Sequence, residues 1–405
     1  MNSVKIPGWR RETAAGGEIG GALRLDGVRR LAKRFVMNLL GELKNKSEQR
    51  ARSLPALDGL RAISICLVLA THLLPLGPKP LQLNWTTGAM GMSLFFILSG
   101  YLIIRTLRSS TIEEFVVKRL VRILPLAYLY LLVVFLLCGL SLHSLLFHAG
   151  FLVNYRQDQM IPVTEHLWSL CVEVHFYTFV ALLAAIGGRK ALVLVWPCCL
   201  AITAIRISQG AYIDVATHLR VDEILAGACV ALLPVKQLRA GATPLLIWAL
   251  AAAAWAVSSH PDSGWLQYLR PYAAGVLLWA TLSQPPNRLI AVLSGGILRY
   301  IAAISYALYI VHPLTAYGWW DEGSVWQKYL LKRPMCFAIS FVAAHLSTFY
   351  WERMWIEGAR RWLRSRRART AQADTALPTA GAAVALHGPS SEPFVAASGA
   401  ARERA

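Results

Sequence analysis

Residues 56–76 form an apolar run long enough to cross a bilayer as one helix, and Arg61 and His72 both lie inside it. At about 3.6 residues per turn the two share a face. An ionisable side chain at membrane depth is costly unless it pairs or works. The run therefore reads as part of a catalytic or conducting centre buried in a membrane.

Further apolar runs follow with little between them. Ten candidate spans stand at 56–76, 88–104, 123–140, 167–186, 191–207, 221–234, 243–258, 268–283, 297–317 and 335–356. Unbroken runs of this length fit helices rather than barrel strands. The sixth is short and the seventh is mostly Ala and Leu. A soluble chain of 405 residues would usually split into two or three domains, but here 56% of residues are hydrophobic and only 16% charged. The expected fold is an all-α polytopic membrane protein with about ten transmembrane helices.

The net charge of +19 sits in loops and ends rather than in a patch interleaved with aromatics. Lys and Arg facing anionic lipid explain it better than nucleic acid does, so no nucleic-acid partner is expected. Twelve Lys/Arg precede Leu54, and Arg105, Arg108, Lys118, Arg119 and Arg122 follow the second span. Arg189, Lys190, Lys236, Arg239, Arg288 and Arg299 occupy further loops of that side, and the tail opens with Arg360, Arg361, Arg364, Arg366, Arg367 and Arg369. Opposite loops hold fewer, such as Lys79, Arg156 and Arg220. Lys328, Lys332 and Arg333 are the exception, partly offset by Asp321 and Glu322. The positive-inside rule then puts both termini in the cytoplasm, as an even span count requires. A multi-pass protein of the cytoplasmic (inner) membrane is expected.

The domain reading has three parts. Residues 1–54 form a basic cytoplasmic arm with no apolar core beside a cleavage site, so no secretory signal is expected. Within it, 28–43 fits either an amphipathic helix lying on lipid or a solvated arm. Residues 55–357 are the membrane domain. Residues 358–405 are a basic tail that, from Thr370, has too few large apolar residues to fold. No second globular domain and no internal repeat are expected. All seven cysteines fall in apolar runs without zinc-site spacing, so they are expected to pack, and no metal is expected.

With this topology the buried polar residues sort by depth. Asp58 and Arg61 lie near the cytoplasmic end of the first span, and His72 lies about 16 Å further out. His166, Ser169, Glu173 and Tyr177 share one face of the fourth span, and Ser305, Tyr309 and His312 share a stripe on the ninth. Arg220 and Asp222 open the sixth. His72, His166, Glu173, Asp222 and His312 thus form an outer layer, and Arg61, Arg119 and Arg122 an inner one. Plainer roles compete. Arg119 and Arg122 stand where topology alone places basic residues, and Asp58 with Arg61 fits a structural pair as well as a binding role. Arg220 and Asp222 could satisfy one another, and His166 could be interfacial only. Glu173 and His72 lie deeper, where function is the default. His175 and His345 fit packing.

Several segments resemble the membrane-bound acyltransferase family 3, which includes bacterial polysaccharide O-acetylases and nodulation-factor acetylases. Leu57-Asp58-Gly59-Leu60-Arg61-Ala62 running on to His72 is similar to its opening motif, and Gly91 to Leu102 to its second-span signature. Lys118 to Ile123, with Pro125 and Tyr128, resembles its RxxR segment. His166-Leu167-Trp168-Ser169-Leu170 to Glu173, then Phe176-Tyr177, resembles the fourth-span motif. Arg220 to Gly227 and Ser305-Tyr306 to His312 fit later blocks, and Ser347 to Glu352 fits the last more loosely. The resemblance runs in order from about Pro55 to Glu357. One departure is that many members carry two consecutive acids in the fourth span, whereas Val174 follows Glu173 here. The esterase domain fused to some members is not seen.

The resemblance implies transfer of an acyl group, commonly acetyl, from cytoplasmic acyl-coenzyme A to a hydroxyl of an extracytoplasmic glycan or glycolipid. In that scheme His72 is the general base and Glu173 orients the base or the acceptor hydroxyl. Arg61, paired with Asp58, holds the pantetheine side, and Arg119 and Arg122 bind the nucleotide end through forked donors. His166, Asp222 and His312 line or support the acceptor side. Acyl-coenzyme A enters as donor substrate, and no bound cofactor is implied. A transporter or flippase of a lipid-linked sugar is the main rival, since it too needs many helices and buried charge. A catalytically dead membrane anchor or assembly subunit is the second.

Overall fold

The computed structural model describes residues 54–319 and 322–376. The basic arm, with its 28–43 stretch, and the tail beyond Ala376 lie outside the described residues. Among the described residues every regular element is helical. The main helices are α1 (Pro55–Leu73), α2 (Leu83–Ser109), α3 (Ile112–Leu137), α4 (Leu142–Ala149), α5 (Trp168–Gly187), α6 (Val195–Ser208), α7 (Asp222–Leu232), α8 (Ala242–Ser259), α9 (Arg270–Ser283), α10 (Arg288–Leu293), α11 (Gly296–Ala316), α12 (Arg333–Leu346) and α13 (Arg353–Ala376).

Seven helices are long and apolar enough to cross a membrane, lying within Pro55–Leu73, Lys79–Ser109, Ile112–Leu137, Glu165–Gly187, Arg189–Ser208, Ala242–Ser259 and Gly296–Ala316. They coincide with seven of the ten expected spans. The other three are helical, and two of them are short. With 11 residues, α7 reaches only about 16 Å at roughly 1.5 Å per residue, about half of a bilayer core. Helix α9 has 14 residues, whereas α12 continues through a π-helical turn into α13, so 335–356 is helical throughout. In the 221–234 run the last two residues belong to the connecting segment, and in the 268–283 run the first two belong to a 3-10 turn. Neighbouring protein covers much of α7 and α9, and every residue from Asp222 to Val230 is buried. Conversely, large apolar side chains such as Leu136 and Ile186 are exposed on the longer helices, as a lipid-facing surface requires. The chain is a multi-pass membrane protein.

Glycines set the closest helix crossings. At the α2–α7 crossing, a Cβ on Gly100 would lie 1.9 Å from the Ile224 carbonyl oxygen, and one on Gly227 would lie 2.0 Å from that of Ile97. Backbone meets backbone there, so nothing can give way, as at other small-residue interfaces in membranes. Gly227→Ala is expected to prevent this contact. The check is monodispersity of purified protein in size-exclusion chromatography, where the variant should aggregate or be lost while Gly358→Ala, a helical position with open space around its Cβ, serves as the control for handling. Gly59 has the same role at the foot of α1, where its Cβ would fall 2.2 Å from the Leu293 oxygen. Gly91 brings α2 against α1 closely enough for Ser64 to donate to its carbonyl at 2.8 Å.

Pro125 interrupts the donor ladder of α3. Side chains clamp the backbone around it: Tyr306 on α11 donates to the Ile123 carbonyl at 2.7 Å, and Trp351 donates to that of Pro125 at 3.2 Å. A π-helical turn, Ser347–Glu352, joins α12 to α13 without a break and turns Glu352 inward. The last helix runs to Ala376, past Thr370, where the composition had suggested the disordered part of the tail begins. Arg366 pairs with Glu113 at 3.0 Å and Arg367 pairs with Glu114, fastening α13 to the first turn of α3. Four of the seven cysteines are buried as expected, but Cys66 is exposed.

Candidate active site

Three histidines from three helices converge on one cavity of about 670 Å³. His72 comes from the last turn of α1, His166 from the turn leading into α5, and His312 from α11. The His72 and His312 rings lie 5.1 Å apart, and His166 and His312 5.5 Å apart. Tyr309 and Glu165 also line the cavity, with Asn84, Trp85 and Arg220.

The hydrogen bonds fix which nitrogen can act as a base. Nδ1 of His312 faces two backbone carbonyls, Tyr309 at 2.9 Å and Leu308 at 3.2 Å. Carbonyls only accept, so this nitrogen carries the proton of the neutral ring and Nε2 keeps its lone pair. Nδ1 of His72 faces the Val68 carbonyl at 2.9 Å and that same His312 Nε2 at 3.3 Å. It too must donate, which leaves the lone pair of His72 on Nε2. His72 is exposed in the cavity whereas His312 is buried. A substrate hydroxyl therefore has access to His72, backed by a second imidazole able to accept from its Nδ1–H.

His166 donates from Nε2 to the Ile310 carbonyl at 3.2 Å, and its Nδ1 has no hydrogen-bond partner. Tyr309 holds it in place. The tyrosine hydroxyl donates to the His166 carbonyl and accepts from Ser169 at 2.6 Å. Tyr130 packs edge-on against the His166 ring at 5.6 Å.

The cationic residues gather toward the other end of α1. Arg61 is half-buried and within electrostatic reach of Asp58, Arg119, Arg122 and Glu173. Arg119 donates to the Thr106 hydroxyl at 3.1 Å and the Leu102 carbonyl at 3.4 Å, and sits over the Tyr177 ring at 5.6 Å. Arg122 acts on Glu352, whose carboxylate accepts from Thr348 at 3.1 Å and Ser347 at 3.3 Å.

Two expected placements differ. Glu173 belongs with this cationic end, near Arg61 and Tyr177, rather than with His72. The carboxylate within electrostatic reach of His72 is that of Glu165. Asp222 does not pair with Arg220 and does not line the cavity. It pairs with Arg206, both side chains wholly buried. Arg220 instead reaches Glu223 at 3.3 Å, and Glu223 also pairs with Arg270 at 2.7 Å. Arg206, Glu223, Arg270 and Glu352 were missed in the sequence. Arg206 stands inside an apolar run and carries the same signal of a costly buried charge that singled out Arg61. Among the described residues no cluster of His, Cys, Asp and Glu could hold a metal ion.

Residues 54–350 match the model of the acyltransferase domain of family 3. The chain belongs to this family of acyltransferases. It is 25% identical over 334 residues to the peptidoglycan O-acetyltransferase OatA of Listeria monocytogenes, covering 67% of this chain and 50% of that protein. It is 26% identical over 318 residues to the putative peptidoglycan O-acetyltransferase YrhL of Bacillus subtilis, covering 65% and 49% respectively. A putative O-acetyltransferase of Staphylococcus aureus is 29% identical over 156 residues, or 32% of this chain and 24% of the other. The chain thus spans about half the length of the longer-matching relatives. No solved structure matches.

Proposed function

We propose that the protein is an O-acetyltransferase of the cytoplasmic membrane, moving an acetyl group from cytoplasmic acyl-coenzyme A to a hydroxyl of an extracytoplasmic glycan or glycolipid. Both termini lie in the cytoplasm, and the remaining apolar helices, together with the segments that extend them, complete about ten crossings. The observation that carries this reading is the exposed His72 lone pair in a large cavity, about 16 Å along α1 from the Arg61 cluster. The relatives named for peptidoglycan O-acetylation support a glycan acceptor.

Coenzyme A phosphates bind Arg119 and Arg122. The forked guanidinium suits phosphate oxygens, and the hydrogen-bond partners of Arg119 are neutral, so it carries undiminished charge to the donor. Asp58 and Glu173 hold Arg61 between them. Nε2 of His72 takes the proton of the acceptor hydroxyl as its oxygen attacks the thioester carbonyl. The tetrahedral intermediate then collapses, the C–S bond breaks and coenzyme A leaves as the thiolate. His312 Nε2 accepts from Nδ1–H of the resulting imidazolium and so steadies its charge. His166 walls the acceptor side, and Asp222 supports it from behind through α7. Nothing in this sequence of steps carries the charged coenzyme across the membrane.

Purified protein given labelled acetyl-coenzyme A and candidate acceptor glycans should release free thiol and transfer label. Label appearing across a vesicle bilayer with no thiol release would point to transport and overturn the reading. Arg122→Ala is expected to raise the acyl-coenzyme A concentration for half-maximal rate by about tenfold, the equivalent of one charge-assisted hydrogen bond, with acceptor dependence little changed. A shift confined to the acceptor would displace the donor site from this cluster.

A further inference from the structure

We infer that the histidine cavity holds an oxyanion of the acceptor, a carboxylate or phosphate, on Arg220. This rests on the reading of that cavity as the acceptor site. Arg220 lines the cavity with only 2% of its surface exposed. Its Nε and Nη1 have no hydrogen-bond partner, and Nη2 approaches Glu223 at 3.3 Å. The guanidinium is held over the rings of Trp168 at 5.5 Å and Phe96 at 6.0 Å, which fixes it without using its donors.

Charge within the buried group does not balance. Arg206, Arg220 and Arg270 contribute three positive charges, and Asp222 and Glu223 two negative ones, leaving a formal surplus of one. Asp222 matches the charge of Arg206, whose Nε and Nη2 donate to the neutral Ala211 and Tyr212 carbonyls. The surplus therefore falls on Arg220 and Arg270, which share the single carboxylate of Glu223. A buried cation lacking a full partner is costly. Of these groups, only Arg220 borders the cavity. Glu165, the carboxylate lining the same cavity, is exposed, so water screens it far more than the buried arginine. A planar guanidinium with open donors is the natural seat for a two-oxygen anion. The hydroxyl to be acylated would then be positioned on His72 by an acidic group elsewhere on the same molecule.

Occupancy of the cavity can be read without acyl transfer. Diethyl pyrocarbonate modifies accessible neutral imidazole, and mass spectrometry of the His72 peptide follows its rate in the purified full chain. Glucuronate and glucose 1-phosphate should each slow modification of His72 at concentrations about tenfold below those needed with glucose, the value of one charge-assisted hydrogen bond. Whichever is stronger identifies the oxyanion as carboxylate or phosphate. Arg220→Gln should erase the advantage of both. Arg220→Lys should keep part of it, because charge remains while the fork is lost. Equal protection by all three sugars in the unaltered protein overturns the inference even if Arg220→Gln fails to fold. A failed thiol-release assay with selective anion protection intact would instead remove the proposed reaction and leave the anion site standing.

Discussion

His72→Ala is expected to lower the rate of acetyl transfer by about 10²–10⁴-fold, the usual contribution of a positioned general base. Expression and thermal stability should stay near those of the unaltered protein. His72 is exposed in the cavity and its hydrogen bonds are to one backbone carbonyl and one imidazole, so truncation leaves only the buried His312 Nε2 without a donor. The measurement is thiol release from acetyl-coenzyme A at saturating donor and acceptor. His72→Gln sharpens the test, since an amide preserves much of the size and can still donate to Val68 but cannot take up a proton near neutral pH. If the glutamine variant turns over normally, proton abstraction at this position is not part of the reaction. His312 can be separated from His72 in the same assay. Its removal takes away the acceptor behind Nδ1 but not the base itself, so His312→Ala should show a smaller loss than His72→Ala and a displaced acid limb in the pH–rate profile.

The helices that carry this chemistry were legible in the sequence because depth along a helix follows from residue count. The step of eleven residues from Arg61 to His72 on α1 places one at the cationic end and the other in the cavity. The convergence of His72, His166 and His312 likewise followed from sorting each residue to the same layer. Glu173 shows where that sorting was too coarse. It shares a helical face with His166, but seven residues deeper is about 10 Å, enough to carry it from the histidines to Arg61 and Tyr177. Face and depth are separate coordinates, and periodicity reports only the first. Tertiary pairing was less accessible still. Arg220 and Asp222 are neighbours in the chain, yet residues two apart do not face one another where the helix begins. Asp222 pairs with Arg206 on α6, and Arg220 reaches Glu223, the second residue of α7, which also receives Arg270 from α9. The i,i+3 spacing of Arg220 and Glu223 is a local pattern, but the pairings with Arg206 and Arg270 depend on which helices pack beside α7, and no local pattern announces that.

Asp222→Asn is expected to destabilise the protein by about 3–5 kcal/mol, the cost of leaving one member of a buried ion pair uncompensated. Both side chains of the Arg206–Asp222 pair are wholly buried, and the other two guanidinium nitrogens of Arg206 donate to the Ala211 and Tyr212 carbonyls. Asparagine keeps the shape and can still accept, but the guanidinium would then lack its counter-charge. Arg220 and Arg270 nearby would aggravate the imbalance, as the group already carries a formal positive surplus. Denaturant unfolding of the purified protein in detergent measures the loss, and acetyl transfer per folded molecule should remain close to normal. Replacing both partners, as Arg206→Met with Asp222→Leu, should recover much of the stability, since the desolvation penalty disappears along with the attraction. An acceptor-binding role makes the opposite forecast: Asp222→Asn would leave unfolding unchanged and raise the acceptor concentration needed for half-maximal rate. The wholly buried carboxylate, facing Arg206 rather than the cavity, favours the structural outcome.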